Sequence, residues 1–302
     1  MNIKKIIEKN ISSSKKYGWT PQWFGHDDFD EELVKLIIKF QHEYSLSKDG
    51  IVGPVTYRRV ETESLTQEGY KPAKRNKRKG EKGIMYNGVK YPIKWDKIIL
   101  WDERGGLKAK AGTYYDWSSK PLRKPVQFVN HWDATLSSQA CARIINKRGL
   151  SMHFLIDNDG TIYQMLDIQH PAWQAGSKFW NINGIGVEIS NAYYLKYQDW
   201  YVKNGFGERP IVESEVHNVN IGKHLDFYPV QLDALAALWE AVANATGMEL
   251  DVCLEKGVSE EAKNCSGPSF VNHYNLTRNK IDCASLDMQA VLDQAVALTC
   301  LD

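Results

Sequence analysis

No stretch of about 18 apolar residues occurs anywhere in the 302-residue sequence, so nothing in it reads as a membrane span. A dominant charge is also missing. Lys and Arg number 38 against 37 Asp and Glu, leaving +1, which gives no global pull towards nucleic acid or an anionic surface. Cysteine is sparse. Five residues (Cys141, Cys253, Cys265, Cys283 and Cys300) do not make a disulfide framework for a chain of this length. Cys253 and Cys265 flank a polar loop and could pair in an oxidising compartment, but reduced and mostly buried thiols are the simpler reading. The opening residues, Met1-Asn-Ile-Lys-Lys-Ile-Ile-Glu-Lys-Asn, carry charges where a signal peptide needs an apolar centre. What is present is ordinary for a soluble globular protein: 43% apolar and 25% charged residues.

The pattern changes twice along the chain. Residues 1–62 read as a compact helical unit, with Leu33, Ile37, Ile38 and Phe40 at helical spacing behind the acidic start Asp28-Phe-Asp-Glu-Glu32. Phe40-Gln41, Leu46, Asp49-Gly50, Gly53-Pro54 and Thr56 then follow, with two turns and a proline placed to start a helix. This run resembles the three-helix type of peptidoglycan-binding domain. His26 and His42 are read as surface or packing residues. Residues 63–90 carry the basic stretch Lys71-Pro-Ala-Lys-Arg-Asn-Lys-Arg-Lys-Gly-Glu-Lys-Gly83, which cannot bury a core and reads as a solvated linker. No aromatic platform or recognition helix accompanies it, so nucleic acid is not expected as a partner.

From residue 91 to 302 the sequence reads as α/β, a mixed central sheet flanked by helices. Strands are expected at 126–130, 152–156, 161–166 and 184–189, with Asp157-Asn-Asp-Gly160 turning a hairpin. Helices are expected at 137–147, 230–246 and 286–298, whereas 191–229, rich in Tyr and Trp, reads as an irregular insertion over the sheet.

The chemistry concentrates in His273-Tyr-Asn-Leu-Thr-Arg-Asn-Lys-Ile-Asp-Cys283. An imidazole and a thiol are ligands that zinc selects, and a catalytic zinc site takes three protein ligands with a fourth position open. His131, at the end of the apolar strand Val126-Gln-Phe-Val-Asn130, supplies a third. Asp282 and Cys283 compete for one place. Thiolate is the softer and tighter partner, so the expected set is His131, His273 and Cys283, with Asp282 behind it orienting a histidine.

Five blocks carry a second resemblance: Val129-Asn-His-Trp-Asp133, His153-Phe-Leu-Ile-Asp-Asn-Asp-Gly-Thr-Ile-Tyr-Gln164, Ala172-Trp-Gln-Ala-Gly176, Gly184-Ile-Gly-Val-Glu188 and His273 to Cys283. In this order they resemble the zinc-dependent N-acetylmuramoyl-L-alanine amidases, a family that includes phage lysozymes of the amidase type and peptidoglycan recognition proteins. The resemblance covers about residues 91–302, with insertions near 191–225 and 251–268. It implies Zn2+ as cofactor and His131 and His273 as ligands. The third ligand in the family is an Asp or a Cys. Glu188 is implied as general base and Lys280 as the group that stabilises the oxyanion. This chain has Gln174 where the family often has a histidine.

The expected activity is cleavage of the amide between N-acetylmuramic acid and L-alanine, by a monomer whose partner is peptidoglycan. The expected context is a phage endolysin made in the host cytoplasm and acting at the cell wall, without stable membrane insertion. Two other readings stay open: a non-catalytic peptidoglycan recognition protein, and a zinc peptidase of the stem peptide. His153 is expected to be structural, His170 could line the cleft, and His217 and His224 are placed on the surface. Trp173, Trp180, Tyr193, Tyr194, Tyr197, Trp200 and Tyr201 could stack on sugars or pack the core.

Overall fold

The computed structural model describes residues 2–72 and 82–300. The centre of the expected basic linker, 73–81, lies outside the described residues.

The N-terminal unit holds α1 (Ile3–Tyr17), a 3-10 turn (Pro21–Phe24), α2 (Glu31–Glu43) and α3 (Pro54–Leu65). Each long helix begins where the sequence offers a start. The side chains of Asn2 and Asp30 accept from Lys4 N and Leu33 N, and Pro54 occupies the first turn of α3. Gln41 ties the unit together. Its Nε2 donates to Asp49 Oδ1 (2.8 Å), the Ile51 carbonyl (3.0 Å) and Thr56 Oγ1 (3.2 Å), while its Oε1 accepts from Gly50 N (2.9 Å). Gly50 sits at φ +70°, and a Cβ there would lie 2.7 Å from Val34 Cγ1. The Gln, Asp-Gly and Thr of the sequence signature are thus one hydrogen-bond network centred on the buried Gln41.

The remaining chain begins with a hairpin, β1 (Gly83–Tyr86) and β2 (Val89–Pro92), turned by Asn87 and Gly88, both at positive φ. Ile84 and Tyr86 are buried in the main core. Residues 83–90, assigned to the linker from sequence, therefore belong to the packed α/β unit. Next come β3 (Ile98–Leu100), β4 (Gln127–Trp132), α4 (Ser138–Arg148), β5 (Phe154–Ile156), β6 (Ile162–Gln164), α5 (Lys178–Asn183) and β7 (Gly184–Ile189). The region 191–229 contains α6 (Gln198–Lys203) and a second hairpin, β8 (Ile211–Val216) and β9 (Val219–Leu225). That segment was expected to be irregular. Its turn is His217-Asn218, with φ of +57° and +61°, a pair that suits the strand twist without glycine. The chain closes with α7 (Pro229–Thr246), α8 (Glu260–Asn264), β10 (Phe270–Asn272), α9 (His273–Leu276) and α10 (Met288–Thr299).

Six strands form one mixed sheet in the order β10-β4-β7-β5-β6-β3. All neighbours are parallel except β5 and β6, which form the expected hairpin. Side chains alternate across it. Phe128, Phe154, Ile156, Ile185, Val187, Ile189 and Phe270 face the core formed with α7 and α10. Leu155, on the opposite face, packs with Cys141, Ala142 and Ile145 of α4. His131 and Glu188 follow the same alternation onto the α4 side. The N-terminal unit joins this side too, since Tyr57, Trp19 and Ile37 share one cluster with Ile144 of α4.

Candidate metal centre and catalytic cleft

The site lies at the carboxyl ends of three adjacent parallel strands, β10, β4 and β7, where open α/β sheets usually place ligands. β4 delivers His131 and β7 delivers Glu188, which are register partners. β10 ends at Asn272 and passes directly into His273 at the start of α9. Asn272 and Asn275 cap that short helix, with Asn272 N donating to Asn275 Oδ1 at 2.8 Å, which fixes where His273 begins.

Nδ1 of His131 and Nδ1 of His273 lie 3.1 and 3.0 Å from the same oxygen, Oδ2 of Asp282. The two rings stand edge to face with centroids 4.4 Å apart. All three ligand atoms lie within 4.8 Å of one another, the only such group of three among the described residues. Burial alone would raise the Asp282 carboxyl, but the facing imidazoles hold it well below the usual carboxylate range. Burial pulls His273 down to about 4. It works the same way on His131, where the Asp282 hydrogen bond and the Glu188 and Asp282 charges overcome it and raise that ring.

Cys283 does not join this group. Its side chain is fully buried in the main apolar core, alongside Ala284, Leu286 and Met288. Burial raises its thiol well above the ordinary value. The expectation of a His131, His273, Cys283 set is therefore corrected to His131, His273 and Asp282. Consecutive residues here point to opposite sides of the chain, one to the cleft and the next to the core, and the core claims the thiol. Two imidazoles and one carboxylate still fit a catalytic zinc site, with a position left open.

Gln174 is the residue that reading the sequence left without a role. Its Oε1 lies 2.6 Å from His131 Nε2 and holds the ring so that Nδ1 faces Asp282. Gly186 makes room for it, since a Cβ there would come within 2.9 Å of Gln174 Cδ and 2.5 Å of Met152 Sδ. Glu188 is half-buried. Its Oε2 is closed from solvent and has no hydrogen-bond partner. Burial lifts its carboxyl above the ordinary value, against the pull of His131 and with help from the Asp282 charge. Lys280 is exposed and lies on the wall of the same cleft.

The cleft has a volume of about 290 Å³. Trp173, Tyr193 and Tyr194 line it, whereas Tyr197, Trp200 and Tyr201 are packed in a separate buried cluster. Trp180 packs beside Val129 and Val271. Of the remaining histidines, His153 is fully buried, its Nδ1 accepting from Gly186 N and its Nε2 meeting the His170 carbonyl, and burial holds it well below its usual value. It is structural. His170 accepts from Trp117 N and is not among the residues lining the cleft. His224, expected on the surface, is fully buried against Trp132 and Tyr193.

Residues 121–268 match the model of the N-acetylmuramoyl-L-alanine amidase family. That segment belongs to the family. The amidase domain so defined includes His131, Gln174 and Glu188, while His273 and Asp282 follow just beyond the matched segment. No curated protein matches the chain. Among solved structures, it is similar to the endolysin N-acetylmuramoyl-L-alanine amidase LysCS from Clostridium intestinale URNW, with 15% identity, 66% of this chain and 95% of that chain covered, and a TM-score of 0.38. The Ph2119 endolysin from the Thermus scotoductus MAT2119 bacteriophage gives 16% identity, 66% and 98% coverage and 0.39. The Staphylococcus aureus hydrolase AmiA in complex with its ligand gives 14%, 71% and 88% coverage and 0.42. No helix among the described residues is long and apolar enough to cross a membrane.

Proposed function

We propose that this protein hydrolyses the amide between the lactyl group of N-acetylmuramic acid and L-alanine, at a zinc ion held by His131, His273 and Asp282. The observation that carries the reading is the convergence of those three ligand atoms beside Glu188, in a chain with an amidase-family domain. Bound zinc supplies Lewis acidity towards a carbonyl and hydroxide at neutral pH.

The chain's own groups do the rest. Gln174 locks the His131 ring from its far side, which leaves Nδ1 directed at the atoms of His273 and Asp282 that would share the metal. Glu188, without a partner for Oε2, is placed to take a proton from the attacking water and return it to the departing alanine nitrogen. Its raised carboxyl suits both halves of that transfer. Lys280 brings a positive charge to the cleft wall, where the oxyanion of the tetrahedral intermediate needs one. The products are a lactyl carboxylate and a free alanine amine. The cleft aromatics Trp173, Tyr193 and Tyr194 offer apolar faces to the sugar and peptide.

The helical unit, read as a wall-binding module, would hold the polymer close to this cleft. A wall-binding module joined to an amidase suits an endolysin, and we place the protein in that context. Digestion of purified sacculi tests the reaction. New N-terminal L-alanine without new reducing ends is the expected product, and intact sacculi that retain bound protein would favour a non-catalytic recognition protein instead.

A further inference from the structure

The helical unit does more than pack nearby. Val55, Arg58 and Arg59 of α3 line the same cleft as His131, Glu188 and Asp282. α3 is held there firmly. Tyr57 enters the cluster with Ile144, and Glu61 pairs with Arg143 at 3.1 Å. Arg59 donates to Tyr197 Oη at 3.0 Å and stacks over Tyr194, 4.2 Å from the ring centroid. Arg59 is committed to the docking through those two contacts, although its Nε is closed from solvent without a partner. Its neighbour Arg58 is not so committed. Arg58 makes no ion pair among the described residues, and its Nε is closed from solvent without a hydrogen-bond partner. Arg148, at the end of α4, lines the cleft beside it and has the same unpartnered Nε. The carboxylates whose charge reaches Arg58 are Glu188, Asp282 and Asp133. The first two are occupied by the chemistry proposed above, and Asp133 is bonded to Thr135, Ser190 and Asn191.

Arg58 feels the charge of Arg59, Arg148 feels that of Arg58, and such like charges with buried donors unpaired are costly unless an anion completes them. Planar guanidinium forks match a carboxylate in particular. We propose that α3 completes the catalytic cleft, and that Arg58 with Arg148 binds the carboxylate the stem peptide carries one residue beyond the alanine. The proposal rests on the amidase reading. It makes the helical unit part of substrate recognition at the scissile bond, in addition to any hold on the polymer. Arg58 acts as a specificity-determining group, and the substrate class is a muramoyl peptide with a free α-carboxylate on its second residue.

Two soluble muramoyl tripeptides test it with the full chain, one with the second-residue α-carboxylate free and one with it amidated. The wild-type protein should favour the free acid by about ten- to a hundredfold in kcat/KM, the range expected for hydrogen bonds to a charged group. Arg58→Ala should remove that preference by raising KM for the free acid alone, and Arg58→Lys should restore part of it. A loss of equal size on both substrates, or none on either, overturns the proposal. Titration calorimetry of both peptides against wild-type protein and Arg58→Ala separates the two readings. Absence of cleavage would count against the amidase, whereas equal affinity of the wild-type protein for the two peptides would count against the Arg58 site. Unchanged thermal unfolding of Arg58→Ala excludes misfolding as the cause.

Discussion

His131 and Glu188 stand opposite each other on adjacent parallel strands, their side chains on the same face of the sheet. One is a ligand candidate and the other the proposed base, and sheet register alone sets their separation. Glu188→Gln should therefore leave the fold and metal content unchanged while turnover falls by about 10²- to 10⁴-fold. Rates on a muramoyl peptide beside a metal assay check this. A normal rate in the variant would reassign the base.

The Gln174 contact predicts a separate effect on the metal. Without its amide at 2.6 Å, His131 loses the group that fixes its ring. Gln174→Ala should weaken metal binding about 10- to 100-fold, read by competition with a chromogenic chelator. Gly186→Ala should act in the same direction, because the new methyl meets the Gln174 side chain. Unaltered affinity in both would remove Gln174 from the site's support.

Gln41 predicts stability. Gln41→Ala leaves Gly50 N and the Asp49 turn without their buried partner, at a cost of roughly 1–3 kcal/mol in urea unfolding. Because the unit shares a cluster with Ile144, the loss should appear in unfolding of the whole chain. A variant as stable as the parent would deny the signature its structural role.

Asp157 predicts a pH dependence. Its carboxylate accepts from Ser138 N, Asn158 N and Tyr70 Oη, yet burial pushes its pKa up to about 6, from 3.8. A raised acid binds its proton more tightly in the folded state, so its contribution is complete below about pH 4 and lost as pH rises through about 6. Asp157→Asn should remove that slope. From about pH 4 to 7 the parent should lose up to roughly 3 kcal/mol relative to the variant, followed by urea titrations at each pH. Parallel curves would contradict it.

Much of this arrangement was legible in the sequence. β4, β5, β6 and β7 are apolar runs bounded by turn residues, and α4, α7 and α10 carry helical spacing, so the mixed sheet and its helices could be read directly. His131, His273 and Glu188 could be found because polar residues ending apolar strands need a reason to be there. Between Asp282 and Cys283 the sequence favoured Cys283, because ligand softness says nothing about which of two neighbours the core will take. The Asn87-Gly88 hairpin was masked by the basic run before it. His217-Asn218 lacks the glycine that usually announces such a turn. Arg58 was invisible for a different reason: its role depends on α3 docking against α4 and the 191–201 segment, a tertiary contact with no local signal.

The central claim is that Asp282, with two histidines, holds the catalytic metal. Metal content by elemental analysis of the wild-type protein, Asp282→Ala and Cys283→Ser tests it most directly. The wild-type protein and Cys283→Ser should each carry one zinc per chain, and Asp282→Ala should carry none. Zinc lost from Cys283→Ser and retained by Asp282→Ala would contradict the account.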